Sequence, residues 1–211
     1  MKVLLVNGSP HKEGTTFHAL TEAAETLKKE GIEAEIVWIG NKPIGGCIGC
    51  FKCGELKKCV FDDAVNELRE KVREADGFIF GTPVHYAAAA GNITSFMDRL
   101  FYSEMHSNGA KNLRLKPAAA VVCARRGGCS AAFDQMNKYF TILEMPIVSA
   151  CYWNMVHGAF GDQCKQDLEG MRNMRVLARN MAYMLRCQQA ARDAGVPLPE
   201  QEPGIFTNFI R

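Results

Sequence analysis

Lys2-Val3-Leu4-Leu5-Val6-Asn7, followed at once by Gly8-Ser9-Pro10, is the stretch that decides the fold. The run is short and almost continuously apolar, with no solvent face. It reads as a strand covered on both sides, as in a parallel sheet. Gly8-Ser9-Pro10 stops it. A helix follows, with Phe17, Leu20, Ala24 and Leu27 at helical spacing. Lys28 and Lys29 in its last turn and Gly31 just beyond are stop signals.

The same alternation continues outward along the chain. Glu33 to Ile39 is a second strand, and a Gly- and Cys-rich loop runs from Asn41 to about Phe61. Asp62 or Asp63 then caps a helix carrying Val65, Leu68, Val72 and Ala75. Gly77 to Pro83 is a third buried strand, and Ile93, Phe96, Met97 and Leu100 mark the next helix. Pro117 to Cys123 is a fourth strand, followed by a helix from about Ser130 to Leu143. Ile147 to Cys151 is the fifth strand, and a last long helix carries Leu168, Met171, Met174, Ala178, Met181 and Leu185. Strands alternating with helices imply a parallel sheet with right-handed crossovers. Five of them suit the order 2-1-3-4-5 in a three-layer α/β sandwich. Residues 1–190 form this one domain, and residues 191–211, with Pro197, Pro199 and Pro203, read as an extended tail.

Composition limits the partners. A net charge of +2 on 211 residues is too small to argue for a nucleic-acid or membrane-surface partner, and none is expected. No apolar run reaches bilayer length, and the N-terminus lacks the layout of a secretory signal, so a cytoplasmic location is expected. Of nine cysteines, four crowd between Cys47 and Cys59. In a reducing compartment structural disulfides are not expected, so the crowded four need another explanation.

In an open parallel sheet the ligand lies beyond the carboxyl ends of the strands, where strand order reverses. Three loops meet there. In the first, Asn7 to Thr16, small residues and hydroxyls let backbone N–H groups converge on an anion at a helix N-terminus. Its spacing fits neither the P-loop nor the Gly-x-Gly-x-x-Gly pattern. In the second, Thr82-Pro83-Val84-His85-Tyr86, a stiff turn offers backbone groups and a ring to a flat heterocycle. In the third, Ala124-Arg125-Arg126-Gly127-Gly128, paired glycines permit close approach and the arginines suit a phosphate.

Together, Gly8-Ser9-Pro10 with Gly14-Thr15-Thr16, then Thr82 to Tyr86, then Arg125 to Gly128 resemble the NADPH-dependent FMN reductase family of the flavodoxin-like superfamily. The segment Tyr152 to Gly158 resembles a branch of it. The resemblance implies that Ser9, His11, Thr15 and Thr16, with Gly14 between them, hold an FMN phosphate. It implies that Pro83, Val84, His85 and Tyr86 line the isoalloxazine, with Arg125, Gly127 and Gly128 along its other edge. Many members carry Arg where His11 stands. NADPH or NADH is then the implied co-substrate, a quinone or flavin the implied small acceptor, and a homodimer or homotetramer the implied assembly. Hydride transfer to the flavin needs no protein acid or base, so no catalytic residue is assigned.

Cys47, Cys50, Cys53 and Cys59 are spaced C-x₂-C-x₂-C-x₅-C, and four thiolates are the full ligand set of a [4Fe–4S] cluster. This resembles the iron–sulfur flavoproteins, which carry a compact cysteine motif after the second strand of this fold. Zinc, redox-active disulfides and an empty loop are the alternatives. Three functions remain open: an NAD(P)H-dependent FMN oxidoreductase, an iron–sulfur flavoprotein carrier reduced by ferredoxin, and a cofactor-free regulatory or interaction domain.

Overall fold

The computed structural model describes residues 1–205 and 207–209; positions 206, 210 and 211 of the expected tail lie outside the described residues. The parallel strands are β1 (Lys2–Asn7), β2 (Glu33–Trp38), β3 (Gly77–His85), β5 (Ala118–Ala124) and β6 (Met155–His157). A two-residue strand, β4 (Ala88–Ala89), pairs antiparallel with β3. The order is β2-β1-β3-β5-β6, which among the five parallel strands is the expected 2-1-3-4-5.

Side-chain alternation divides the core in two. Leu4, Val6, Phe78, Phe80, Ala120 and Val122 face α5 (Gly91–Asn108) and α6 (Cys129–Ile142). Val3, Leu5, Ile79, Ala119 and Val121 face α1 (Thr15–Lys29) and α7 (Leu168–Asp193). That is why the central strands β1, β3 and β5 read as nearly unbroken apolar runs: each must satisfy a helical layer on both sides. The helix expected after Asp63 is broken into α3 (Ala64–Glu67) and α4 (Arg69–Glu74), with Asp63 Oδ1 accepting from Val65 N–H as the cap. A third short helix, α2 (Cys53–Leu56), lies within the cysteine loop. Among the described residues no helix is long and apolar enough to cross a membrane.

The fifth strand is not where the sequence suggested. Ile147 makes only an isolated bridge to Ala118, at the lower end of β5. The chain then leaves the sheet and returns as Met155–His157 beside Val122–Ala124. Both pieces are anchored by main-chain bonds, Val148 N–H to Ala118 O at 2.8 Å and Val122 N–H to Asn154 O at 2.9 Å. Ile147-Val148-Ser149-Ala150-Cys151 has strand-like composition, but at a sheet edge only one neighbour enforces pairing. The last helix runs on to Asp193, three residues past the expected boundary, and the tail touches the domain through Arg114 Nη1 to Pro199 O at 3.2 Å.

An acid-sensitive cluster ties the edge strand down. Lys2 Nζ pairs with Glu35 at 2.7 Å, and Lys71 Nζ from α4 pairs with the same carboxylate. Hydrogen bonds from Lys2 and then Lys71 hold the Glu35 carboxyl below its ordinary range, against a smaller effect of burial. A depressed carboxylate stabilises the fold above its unfolded value and loses that contribution as pH falls through the folded one. Unfolding followed by circular dichroism from about pH 5 down to about pH 3 is expected to show Glu35→Gln losing less stability than the parent. Parallel pH curves would remove Glu35 from the acid response.

Candidate functional site

Beyond the carboxyl ends of β1, β3 and β5 lies a cleft of about 860 Å³. Ser9, His11, Gly14, Thr15 and Thr16 from the first loop, Pro83, Val84 and His85 from the second, and Arg125 from the third all line it. The three turns therefore converge on one edge of the sheet.

The first loop is shaped from within. Buried Asn7 accepts Ser9 N–H on Oδ1 at 3.0 Å and donates through Nδ2 to Lys12 O at 3.0 Å. Ser9 Oγ accepts His11 N–H at 3.1 Å. The helix that follows begins after Gly14, which has no side chain to cap it, and no acid stands in its first turn. Its leading N–H groups and positive dipole end thus remain available to an anion. Thr16 Oγ1 is buried at the floor of this turn. It has no hydrogen-bond partner beyond the Cys123 thiol it lies against, which is a weak one. Burial pushes that thiol up, so it stays protonated. An orphaned hydroxyl beside uncapped amides is the donor set an oxygen-rich anion satisfies.

The second loop is a tight hairpin. Its two central residues, Tyr86 and Ala87, sit at φ 50° and 60°, where non-glycine residues are strained by about 1 kcal/mol or more each. The structure turns Tyr86 outward, fully exposed and outside the cleft lining. Gly127 and Gly128 also stand outside that lining. Gly128, at φ 96°, lies so close to the hairpin that a Cβ would sit 2.7 Å from Ala87 Cα and 2.8 Å from Val84 Cγ1. In this structure it locks the second and third loops together.

Most other wall residues carried no local signal; Gly158, at the end of the Tyr152–Gly158 segment, is the exception. Trp38 ends β2 and donates Nε1–H to Ser9 O at 2.7 Å, and Asn41 follows it. Gly158 to Gly161 closes the far side, tied to α1 by Thr15 Oγ1 donating to Gly161 O at 3.4 Å. Ala159, Phe160 and Gly161 follow β6, so misplacing the fifth strand hid them.

On the α5 side, all four clustered cysteines line one small pocket of about 20 Å³, and all are free thiols. Cys47 and Cys50 are exposed, Cys53 is buried and Cys59 is half-buried. Burial chiefly pushes the Cys53 thiol up, with nearby Cys50 and Cys47 acting in the same direction and local backbone N–H groups opposing. Two buried arginines brace the loop. Arg69 pairs with Glu104 at 2.6 Å and donates to Lys57 O. Arg99 donates Nε–H to Cys59 Sγ at 3.2 Å and pairs with Asp63 at 2.6 and 2.8 Å. Burial works against the Arg99 charge, but Asp63 and Cys59 together hold it above its ordinary value. Among the described residues no three His, Cys, Asp or Glu side chains stand close enough together to hold a metal ion as they are.

Comparison with known proteins fits this architecture. The profile of the NADPH-dependent FMN reductase family matches residues 1–160. An iron–sulfur flavoprotein of Methanocaldococcus jannaschii is 32% identical over 191 residues, covering 88% of this chain and 98% of its own. Among solved structures, RosB with a bound 8-demethyl-8-formylriboflavin-5'-phosphate intermediate superimposes with a TM-score of 0.69 at 19% identity, over 100% of this chain and 94% of that one. A flavodoxin from the domain Archaea superimposes at 0.57 with 12% identity, over 88% of this chain and 99% of its own. At such identities these two similarities establish the flavodoxin-like fold.

Proposed function

The chain belongs to the NADPH-dependent FMN reductase family, and on that premise we propose that it is a flavoprotein oxidoreductase that binds FMN in the cleft at the strand ends. One observation carries the reading: the buried, otherwise unpartnered Thr16 hydroxyl beside the uncapped start of α1, at the floor of a cleft of about 860 Å³. The α1 amides, Thr15, Thr16 and Ser9 would hold the phosphate, with His11 at its exposed side. Pro83, Val84 and His85 would support the ring on one edge and Arg125 on the other, with Tyr86, Gly127 and Gly128 framing the loops that do so. The chemistry FMN supplies when bound is the transfer of one or two electrons through its ring. The protein's part is to exclude water from the inner wall, which Cys123 and Ala124 do as buried residues, and to fix the ring at the rim.

NADPH or NADH is proposed as the donor and a small molecule such as a quinone or flavin as the acceptor, in the cytoplasm, the protein working as a homodimer or homotetramer. A second reading has its own support: four soft thiols line one pocket, and the similarity to iron–sulfur flavoproteins runs along most of the chain. Cys47, Cys50, Cys53 and Cys59 suit a [4Fe–4S] cluster as a donor set. The space between them is roughly that of one water. The exposed Cys47–Cys50 turn, with Gly46 before it and Gly49 within it and open space where their side chains would be, is the part able to give way. On this reading electrons arrive from reduced ferredoxin through the cysteine loop.

Adding FMN to anaerobic apoprotein tests the first statement. Thr16→Val, which keeps the shape and removes the hydroxyl, is expected to weaken FMN binding about tenfold to a hundredfold, by loss of one hydrogen bond to a charged group. Unchanged affinity would remove the cleft floor from the phosphate site. Flavin bleaching by NADPH or NADH supports the reductase; bleaching by reduced ferredoxin alone supports the carrier.

A further inference from the structure

We propose that Arg99 is a positioning residue for the fourth thiolate of the cysteine loop: its Nε–H holds Cys59 Sγ and raises the reduction potential of a cluster bound there. The proposal rests on the reading of the loop as an iron–sulfur site.

The spacing poses the problem. Cys47, Cys50 and Cys53 are joined by two-residue gaps that local turns can close, but five residues separate Cys53 from Cys59. The position of the fourth thiol must therefore come from tertiary contacts. Cys59 is held at every polar atom. Its N–H donates to Asn66 Oδ1 at 3.0 Å, its carbonyl accepts from Asn66 Nδ2 at 2.9 Å, and its sulfur accepts from Arg99 Nε at 3.2 Å. The chain is pinned on both sides, by Arg69 at Lys57 O and by Arg99 Nη2 at Phe61 O, 3.3 Å. Cys47 and Cys50 stand exposed by comparison.

Arg99 cannot easily swing away. Its side chain is 1% exposed, its Nη1 and Nη2 grip both Asp63 oxygens, and the Phe61 ring lies 4.9 Å from its Cζ. Asp63 in turn caps α3. The fork is thereby oriented with Nε–H on the sulfur, a geometry that a lysine ammonium does not reproduce. Each electron added to a four-thiolate cluster makes it more negative. A hydrogen bond to a ligand sulfur and a buried, weakly screened positive charge both favour that state and raise the potential.

The test uses the full chain loaded with FMN and reconstituted anaerobically with ferrous iron and sulfide. Iron and sulfide content, FMN affinity and the cluster midpoint, followed by electron paramagnetic resonance, are measured together. Arg99→Gln is expected to lower the midpoint by the equivalent of about tenfold in the one-electron equilibrium, ~59 mV, with FMN affinity unchanged. Arg99→Lys, which restores charge without the fork, is expected to recover part of the shift. Equal midpoints at equal cluster content would overturn the proposal. Loss of the cluster with normal FMN binding would support the positioning role. If Arg99→Gln loses FMN as well, Arg99→Lys decides, because it keeps a buried positive charge beside Asp63 and removes the Nε–H on the sulfur: a lowered midpoint supports the proposal and an unchanged one overturns it. A parent chain that takes up no iron and sulfide removes the cluster reading and this inference together, whereas a loaded parent with unshifted variants removes this inference alone.

Discussion

Glu104→Ala is expected to destabilise the protein by about 3–5 kcal/mol, because it strands a buried arginine without its counter-charge. The Glu104 side chain is 0% exposed and Arg69 only 4%. The Glu104 carboxylate accepts Arg69 Nε–H at 2.8 Å and Nη2–H at 2.6 Å, and its second oxygen accepts from Asn108 at 2.9 Å and Asn112 at 2.7 Å. Four donors lose their acceptor in one substitution. The damage should also reach the cysteine loop, since Arg69 is what holds Lys57 O. Urea unfolding measures the loss, and iron uptake at low denaturant reports the loop. Replacing both partners by apolar residues, Arg69→Met with Glu104→Leu, is expected to recover most of the stability but not the hold on Lys57. A single-variant loss under about 1 kcal/mol would mean that water reaches the pair.

Gly8→Ala should cost less stability and more function. Gly8 leaves β1 against β3, with its N–H on Gly81 O at 2.9 Å. An added Cβ would lie 2.5 Å from Ile93 Cβ and 2.8 Å from Gly81 O, neither of which is the flexible end of a side chain. The first loop must therefore lift from the sheet, at about 1–3 kcal/mol of overpacking. The lift carries Ser9 and the start of α1 with it. Losing two charge-assisted hydrogen bonds at the phosphate corresponds to about a hundredfold or more in FMN affinity. Fluorescence titration with FMN, alongside thermal unfolding, separates the two effects. A destabilised variant with parental FMN affinity would mean that this loop does not hold the ligand.

Features carried by local pattern were legible in the chain. The two-faced burial of Val3 to Val6 and of Phe78 to Phe80 follows from unbroken apolar runs. The α1 stop at Lys28-Lys29-Glu30-Gly31 follows from charge and from the φ of +74° that Gly31 adopts. Nine of the twelve residues expected around the cofactor line the cleft, because the turns after parallel strands must open on the same edge. Tyr86 directly follows one that does, and Gly127 and Gly128 lie two and three positions beyond another, Arg125. Which of several neighbours faces inward depends on the hairpin bend and on one loop packing against another.

Sequence by itself determined the layering, the strand order and the edge of the sheet where the three loops converge, since periodicity and turn residues act over a few positions and repeat along the chain. Tertiary structure alone decided that the fifth strand begins at Met155, that Trp38 and the Gly158–Gly161 segment close the cleft, and that Arg69 and Arg99 reach the cysteine loop from α4 and α5. Those outcomes join residues tens of positions apart. Their energies come from burial and from pairing of charges away from water, and neither exists until the chain is folded.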